Sequence, residues 1–133
     1  MRHYACAILS DGQRILLGLR APHRRLLPNK WDVIGGRVED GETLEVALRR
    51  ELNEEIGVTP EVYRSVGSVI DPNEAEKGGA IYHMFFVTDW SGGDPALRND
   101  EHVTLGWFTV EEANALPDLA LDEYRGLFSQ LFA

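Results

Sequence analysis

Three glutamates, Glu51, Glu54 and Glu55, stand at i, i+3 and i+4 in a stretch that reads as helix. At about 100° per residue, that spacing places all three on one helix face. Two carboxylates ~5 Å apart, at an effective dielectric near 20, repel by about 3 kcal/mol. A solvated charge run would turn away from the apolar side. These three instead overlap the arc of Leu44, Ala47, Leu48, Leu52 and Ile56, while Glu45, Arg49 and Asn53 take the opposite face. Carboxylates that lean toward the body of a protein need a cation among them or a proton on one of them. Oxygen donors without His or Cys suit Mg²⁺ or Mn²⁺ rather than zinc. The plain alternative is a surface helix whose acids are paired with Arg49 and Arg50.

The helix has signals at both ends. Thr43 can cap its start, residues 44–56 carry the periodicity, and Gly57 can close it with positive φ. Just ahead, Gly35-Gly36 lets backbone approach a ligand closely, and 37–39 reads as a short strand before the Asp40-Gly41 turn. Strands are expected at 3–10, 14–20, 61–70, 80–90 and 103–108, with 31–34 leading into the glycines. Asp11-Gly12 is a hairpin signal between the first two strands. Polar, Pro- and Gly-rich loops are expected at 21–30, 71–79 and 91–101. Thr109 can cap a short helix through Ala115, and Asp118 a last helix to residue 132, with Leu121, Tyr124, Leu127, Phe128 and Leu131 in one stripe. This order predicts an α/β (α+β) fold, a mixed sheet with helices on both faces. It does not say which strands pair.

The chain's 133 residues predict a single domain, 1–133, with one substantial core. No apolar run reaches membrane-span length, and Met1-Arg2-His3 leads into an amphipathic stretch rather than a signal peptide, which points to the cytoplasm. Cys6, the only cysteine, excludes an intrachain disulfide and is expected to be buried and inert. With 22 acids against 13 bases, the formal charge of −9 should repel duplex nucleic acid and anionic membrane. Yet no acid falls between Gly12 and Trp31, where Arg14, Arg20, Arg24, Arg25 and Lys30 cluster. Arg24 and Arg25 could guide an anionic substrate to an acidic, metal-loaded site; the alternative is ordinary solubilising loop charge.

Residues 36–58, GRVEDGETLEVALRRELNEEIGV, hold Gly36, Glu42, Arg50-Glu51-Leu52, Glu54-Glu55 and Gly57-Val58 at the spacing of the Nudix box, with no fixed position missing. The chain therefore resembles the Nudix hydrolases of the MutT-like pyrophosphohydrolase type. The likeness extends to Trp31-Asp32 before the double glycine and to Trp107-Phe108-Thr109 before the short helix. It implies an α/β/α sandwich with a mixed central sheet. It also implies Mg²⁺-dependent (or Mn²⁺-dependent) hydrolysis of a phosphoanhydride in a nucleoside diphosphate linked to another group, such as a nucleoside triphosphate or ADP-ribose. Glu51, Glu54, Glu55 and the Gly36 carbonyl are then the expected metal ligands. Glu42 and Arg50 should pair and hold the loop against the helix. The expected catalytic set is Glu54, Glu51, Arg50 and Glu101. The general base is either a box glutamate or the later acid Glu101, which could instead be a further ligand. His102 could position water or be a solvated loop residue.

For the substrate's other end, Trp31, Tyr82, Phe85 and Trp107 could offer an aromatic face, each with core packing as its alternative; Trp31 is the expected substrate contact. A homodimer is also open under the resemblance. Ile34 stands where many members carry Pro before the double glycine, which loosens that loop and weakens assignment to the nucleotide-sanitising subgroup. The segment PNKWDVIGG is similar to isoprenoid-diphosphate members, and Pro72 falls near a proline of ADP-ribose members. No tyrosine stands where diadenosine-polyphosphate members use one. Two further readings stay open. One is a catalytically silent nucleotide-binding module, against which the intact glutamates argue. The other is an isomerase of isopentenyl diphosphate, which needs a reactive cysteine near the substrate, for which Cys6 looks poorly placed.

Overall fold

A computed structural model describes residues 1–71 and 78–132. The strands are β1 (Arg2–Leu9), β2 (Ile15–Arg20), β3 (Trp31–Asp32), β4 (Ile34–Arg37), β5 (Thr59–Asp71), β6 (Ala80–Ser91) and β7 (His102–Phe108). The helices are α1 (Leu44–Ile56), α2 (Val110–Asn114) and α3 (Glu123–Phe128). A four-stranded sheet runs β4-β1-β6-β5, with β1 and β6 parallel and the other pairs antiparallel. A three-stranded antiparallel sheet runs β3-β2-β7. The fold is thus α+β with a mixed sheet and helices on both faces, as expected.

Alternation along β1 builds the two cores. Ala5, Ala7 and Leu9 face α1 and pack with Ala47, Leu48, Leu52 and Ile56. Cys6 and Ile8 face the other way, with Met84, Phe86, Tyr124 and Phe128. Full burial stabilises each such Leu or Ile by about 1.5–3 kcal/mol over an exposed one. The ends of α1 follow the sequence signals. The Thr43 hydroxyl accepts from the Val46 N–H at 3.1 Å, and Gly57 closes the helix at φ 70°. Thr109 and Glu112 form a capping box on α2.

Three expectations change. Asp11-Gly12 does make a turn, its side chain accepting from the Gln13 and Arg14 N–H groups. But β1 and β2 share only the Ser10–Ile15 bridge and belong to different sheets. The reason is that β1 is already flanked by β4 and β6, so β2 has no free edge to join. The strand expected at 37–39 ends at Arg37. The last helix is shorter than expected. Asp118 does not cap it, because the Asp118 carbonyl accepts from the Trp31 N–H at 2.9 Å and the Ala120 N–H donates to the Trp31 carbonyl at 2.8 Å. The segment around Leu119 thereby extends the sheet edge at β3, and helix starts only at Glu123. Pro72 lies in 72–77, outside the described residues.

Among the described residues, no helix is long and apolar enough to cross a membrane.

Candidate active site

The box glutamates do not lean inward equally. Glu55 is 1% exposed, and neither of its carboxyl oxygens has a hydrogen-bond partner. Burial first, and then the nearby Glu101 carboxylate, push its pKa up to about 10, so the group holds a proton at neutral pH. The Glu51 side chain is 12% exposed and lies against Gly36, so close that any β-carbon at position 36 would collide with its carboxylate. Burial raises its pKa, partly offset by Arg50. The Glu54 side chain is 56% exposed and faces solvent, a correction to the expectation that all three lean inward.

Arg50 organises the helix against the preceding loop. Its Nε and Nη2 each donate to Glu42 at 2.8 Å, Nη2 to the Arg37 carbonyl at 3.0 Å, and Nη1 to Glu51 at 2.7 Å and Glu54 at 3.4 Å. This bidentate pairing holds Glu42 down to about 2. The expected Glu42–Arg50 clamp is therefore present. Arg50 also supplies the positive charge that Glu51 and Glu54 were expected to lack without a metal.

Glu101 comes from the residue before β7 and meets Arg24 from the 21–30 loop at 3.0 Å. Its interaction with the Glu55 carboxyl, and then with Arg24, holds its pKa below the usual value. The pair divides the labour: Glu55 keeps the proton and Glu101 stays charged. A cavity of ≈ 310 Å³ opens beside them, walled by Gly36, Glu51, Glu101 and Arg24 together with Asp32, His102, Tyr4, Tyr82 and Tyr124.

Several expected substrate contacts fall elsewhere. Arg25 is exposed and does not wall this cavity; it borders a shallower depression that adjoins it across Arg20, Arg24 and Leu26. Trp31 does not wall the cavity; its ring packs edge-on against Phe108 at 5.0 Å. Phe85 is buried with the α1 core, and Trp107 stacks on Trp90 under Arg14. Of the four aromatics, only Tyr82 reaches the cavity, leaning on Tyr4 at 4.9 Å. His102 is buried, not solvated, and burial drops its pKa to about 4. Sequence reasoning missed Asp32 and Tyr124. The Tyr124 hydroxyl donates to Asp32 Oδ1 at 2.8 Å across 92 residues, a contact that no local pattern encodes.

Cys6 is buried, as expected, but it is not remote from the site: it sits opposite Gly35 in the β1–β4 register and walls the cavity. Burial, then Asp32, Glu55 and Glu51, raise its pKa well above the usual thiol range, so it is a neutral thiol and not a nucleophile. Cys6→Ala is therefore expected to keep turnover within about twofold, and native protein to resist iodoacetamide until unfolded. Loss of activity on alkylation of the native protein would reinstate a reactive cysteine.

The donor set suits a hard divalent cation. It offers carboxylate oxygens and a backbone carbonyl, and the orphaned Glu55 oxygens are what a cation would satisfy. Among the described residues, no three acidic, histidine or cysteine side chains already converge at ion-holding distance, because Arg50 stands between Glu51 and Glu54.

The site thus joins an acidic helix face, packed on a double-glycine strand, to an Arg-paired acid from just before β7. The NUDIX domain family model matches residues 1–131, and the chain belongs to this family of hydrolases. It is 32% identical over 126 residues to the nucleoside triphosphatase NudI of Enterobacter sp. (strain 638), covering 86% of each chain. Against NudI of Salmonella newport (strain SL254) it is 33% identical over 129 residues, covering 89% of this chain and 88% of the relative. The crystal structure of MutT NUDIX hydrolase from Burkholderia pseudomallei superimposes with a TM-score of 0.84 at 27% identity, over 98% of this chain and 97% of the other.

Proposed function

We propose that this chain hydrolyses a phosphoanhydride of a nucleoside triphosphate, or of a related nucleoside diphosphate derivative, with Mg²⁺ or Mn²⁺. The observation that carries the reading is the buried, protonated Glu55 carboxyl held against charged Glu101, which walls an open cavity together with Glu51 and Gly36. The similarity to nucleoside triphosphatases supports this substrate class. Glu51, Glu54, Glu55 and the Gly36 carbonyl would hold the cation, which when bound would neutralise diphosphate charge and acidify water. Arg50 positions Glu51 and Glu54. Charged Glu101 can accept a proton from the attacking water, and Arg24 keeps Glu101 ionised while offering positive charge to an anionic substrate.

The test is a substrate panel with Mg²⁺: nucleoside triphosphates, ADP-ribose, dinucleoside polyphosphates and isoprenoid diphosphates, with release of phosphate or pyrophosphate measured. Turnover of triphosphates supports the proposal. Tight binding without turnover would support a silent binding module, and turnover of isoprenoid diphosphates alone would replace the substrate class.

The two arginines should separate. Arg24→Ala is expected to raise KM about tenfold and flatten the salt dependence of kcat/KM, whereas Arg25→Ala should change either by less than twofold. Equal salt slopes in Arg24→Ala and wild type would make Arg24 only a structural partner of Glu101.

A further inference from the structure

Arg20 ends β2 at a register shift, between Leu19 and Arg20, in the pairing with β7. Irregularities of this kind re-aim a side chain. Here the guanidinium reaches the middle of the 21–30 loop, and only 14% of the side chain is exposed. Its Nε donates to the Leu26 carbonyl at 2.9 Å, and Nη1 to Asp32 Oδ2 at 3.5 Å. The backbone of the same residue holds the far end of the loop. The Arg20 N–H donates to the Lys30 carbonyl at 2.8 Å, and the Arg20 carbonyl accepts from the Asn29 N–H at 3.1 Å. One residue thus ties down the loop at its middle and at its end.

The carbonyl that Arg20 holds precedes Leu27, whose φ is 51°. A residue other than glycine keeps such a conformation only where its surroundings impose it. Leu27 packs against the core, and the Arg20 bond fixes the peptide just before it. Arg24 lies in the span between Ala21 and Leu26. Its ion pair with Glu101 joins side chains that are 29% and 36% exposed. A pair so open to water is weak and cannot hold a loop by itself. The meeting of Arg24 and Glu101 therefore needs a loop that is already in place.

We propose that Arg20 is a positioning residue: by holding the Leu26 carbonyl it fixes the loop so that Arg24 faces Glu101 and the anionic substrate. The inference rests on the nucleoside triphosphatase reading above. Two of its three nitrogens are committed to Leu26 and Asp32, so Arg20 acts through Arg24.

The experiment compares wild type, Arg20→Gln, Arg20→Met, Arg24→Ala and the double variant Arg20→Met/Arg24→Ala. Gln places an N–H donor where the arginine Nε stands and removes the charge, whereas Met keeps the length and removes both. The readouts are trypsin cleavage after Arg24 and Arg25 in the native protein, and kcat and KM for a nucleoside triphosphate with Mg²⁺. Loop cleavage is expected to be at least about tenfold faster in Arg20→Met and within about threefold of wild type in Arg20→Gln. KM should rise about tenfold in Arg20→Met with kcat within about threefold, and change little in Arg20→Gln. The double variant should be no worse than about twofold beyond Arg24→Ala, because both changes remove one interaction. An Arg20→Gln as impaired as Arg20→Met, an Arg20→Met that matches wild type, or losses that multiply in the double variant would overturn the inference. If Arg20→Met does not fold, Arg20→Gln decides: values near wild type sustain the inference, and a tenfold change in KM or in loop cleavage overturns it. A wild type that cleaves no nucleoside triphosphate would overturn the hydrolase reading, and the trypsin rates would still decide whether Arg20 holds the loop.

Discussion

Glu54→Gln and Glu55→Gln are each expected to lower kcat about 10²-fold or more, with far-ultraviolet circular dichroism unchanged. Both substitutions keep the size of the side chain and remove one anionic oxygen donor. The size of the loss follows other preorganised charge stabilisers, whose removal costs about 10²–10³ in kcat. The two positions reach this result differently. Glu54 is exposed and held only by Arg50 at 3.4 Å, so its replacement cannot disturb the core. Glu55 is buried and protonated when metal-free, and Gln reproduces that neutral state. Retention of more than half the wild-type activity by both variants would show that these glutamates do not hold the metal.

The second large effect is on metal-free stability. In excess EDTA, wild type is expected to melt lower at pH 9 than at pH 7 by several degrees, and Glu55→Gln to show little of that fall. Glu55 stands near 10 in the folded protein against 4.5 for an unperturbed carboxyl. Between those values the folded chain binds more protons than the unfolded one. The stabilisation is therefore full below about pH 4.5 and is lost as pH rises toward 10, by at most ~1.4 kcal/mol per pH unit for one proton. Two other groups work in a different window. His102 near 4, below its usual 6.5, and Glu101, held low, both contribute stability that is lost as pH falls and is fully present above about pH 7, so neither adds a pH slope between pH 7 and 9.

A change of 1 kcal/mol moves the melting temperature of a domain near this length by roughly 3–5 °C. Millimolar Mg²⁺ should reverse the order of the two proteins at high pH, because metal competes with the proton and stabilises wild type by mass action. Parallel pH slopes for the two proteins in EDTA would exclude Glu55 as the group responsible. The general repulsion expected among Glu51, Glu54 and Glu55 is not the source of the effect, since Arg50 already bridges the first two.

The sequence by itself determined the elements whose causes are local. Helix periodicity, the Thr43 cap and a glycine able to take positive φ delimit 44–56, and α1 occupies those residues. The i, i+3, i+4 spacing placed the glutamates, and the box positions placed the Glu42–Arg50 pair. The family was legible for the same reason: its signature is one continuous stretch.

Tertiary structure alone decided how those charges are balanced and what faces them. Which glutamate is buried depends on β4 packing against α1, and its protonation follows first from that burial and then from Glu101, 46 residues beyond Glu55. The pairing of Arg24 with Glu101 and of Tyr124 with Asp32 depends on sheet register and on the docking of α3. Strand order was equally hidden, because a hairpin signal at Asp11-Gly12 specifies a turn but not which sheet the next strand joins. Side-chain direction at Trp31 and His102 followed from that choice of sheet, since β3 and β7 both pair with β2. Local spacing fixes the relative angles of residues on one element, whereas burial and pKa depend on elements that meet only when the whole chain has packed.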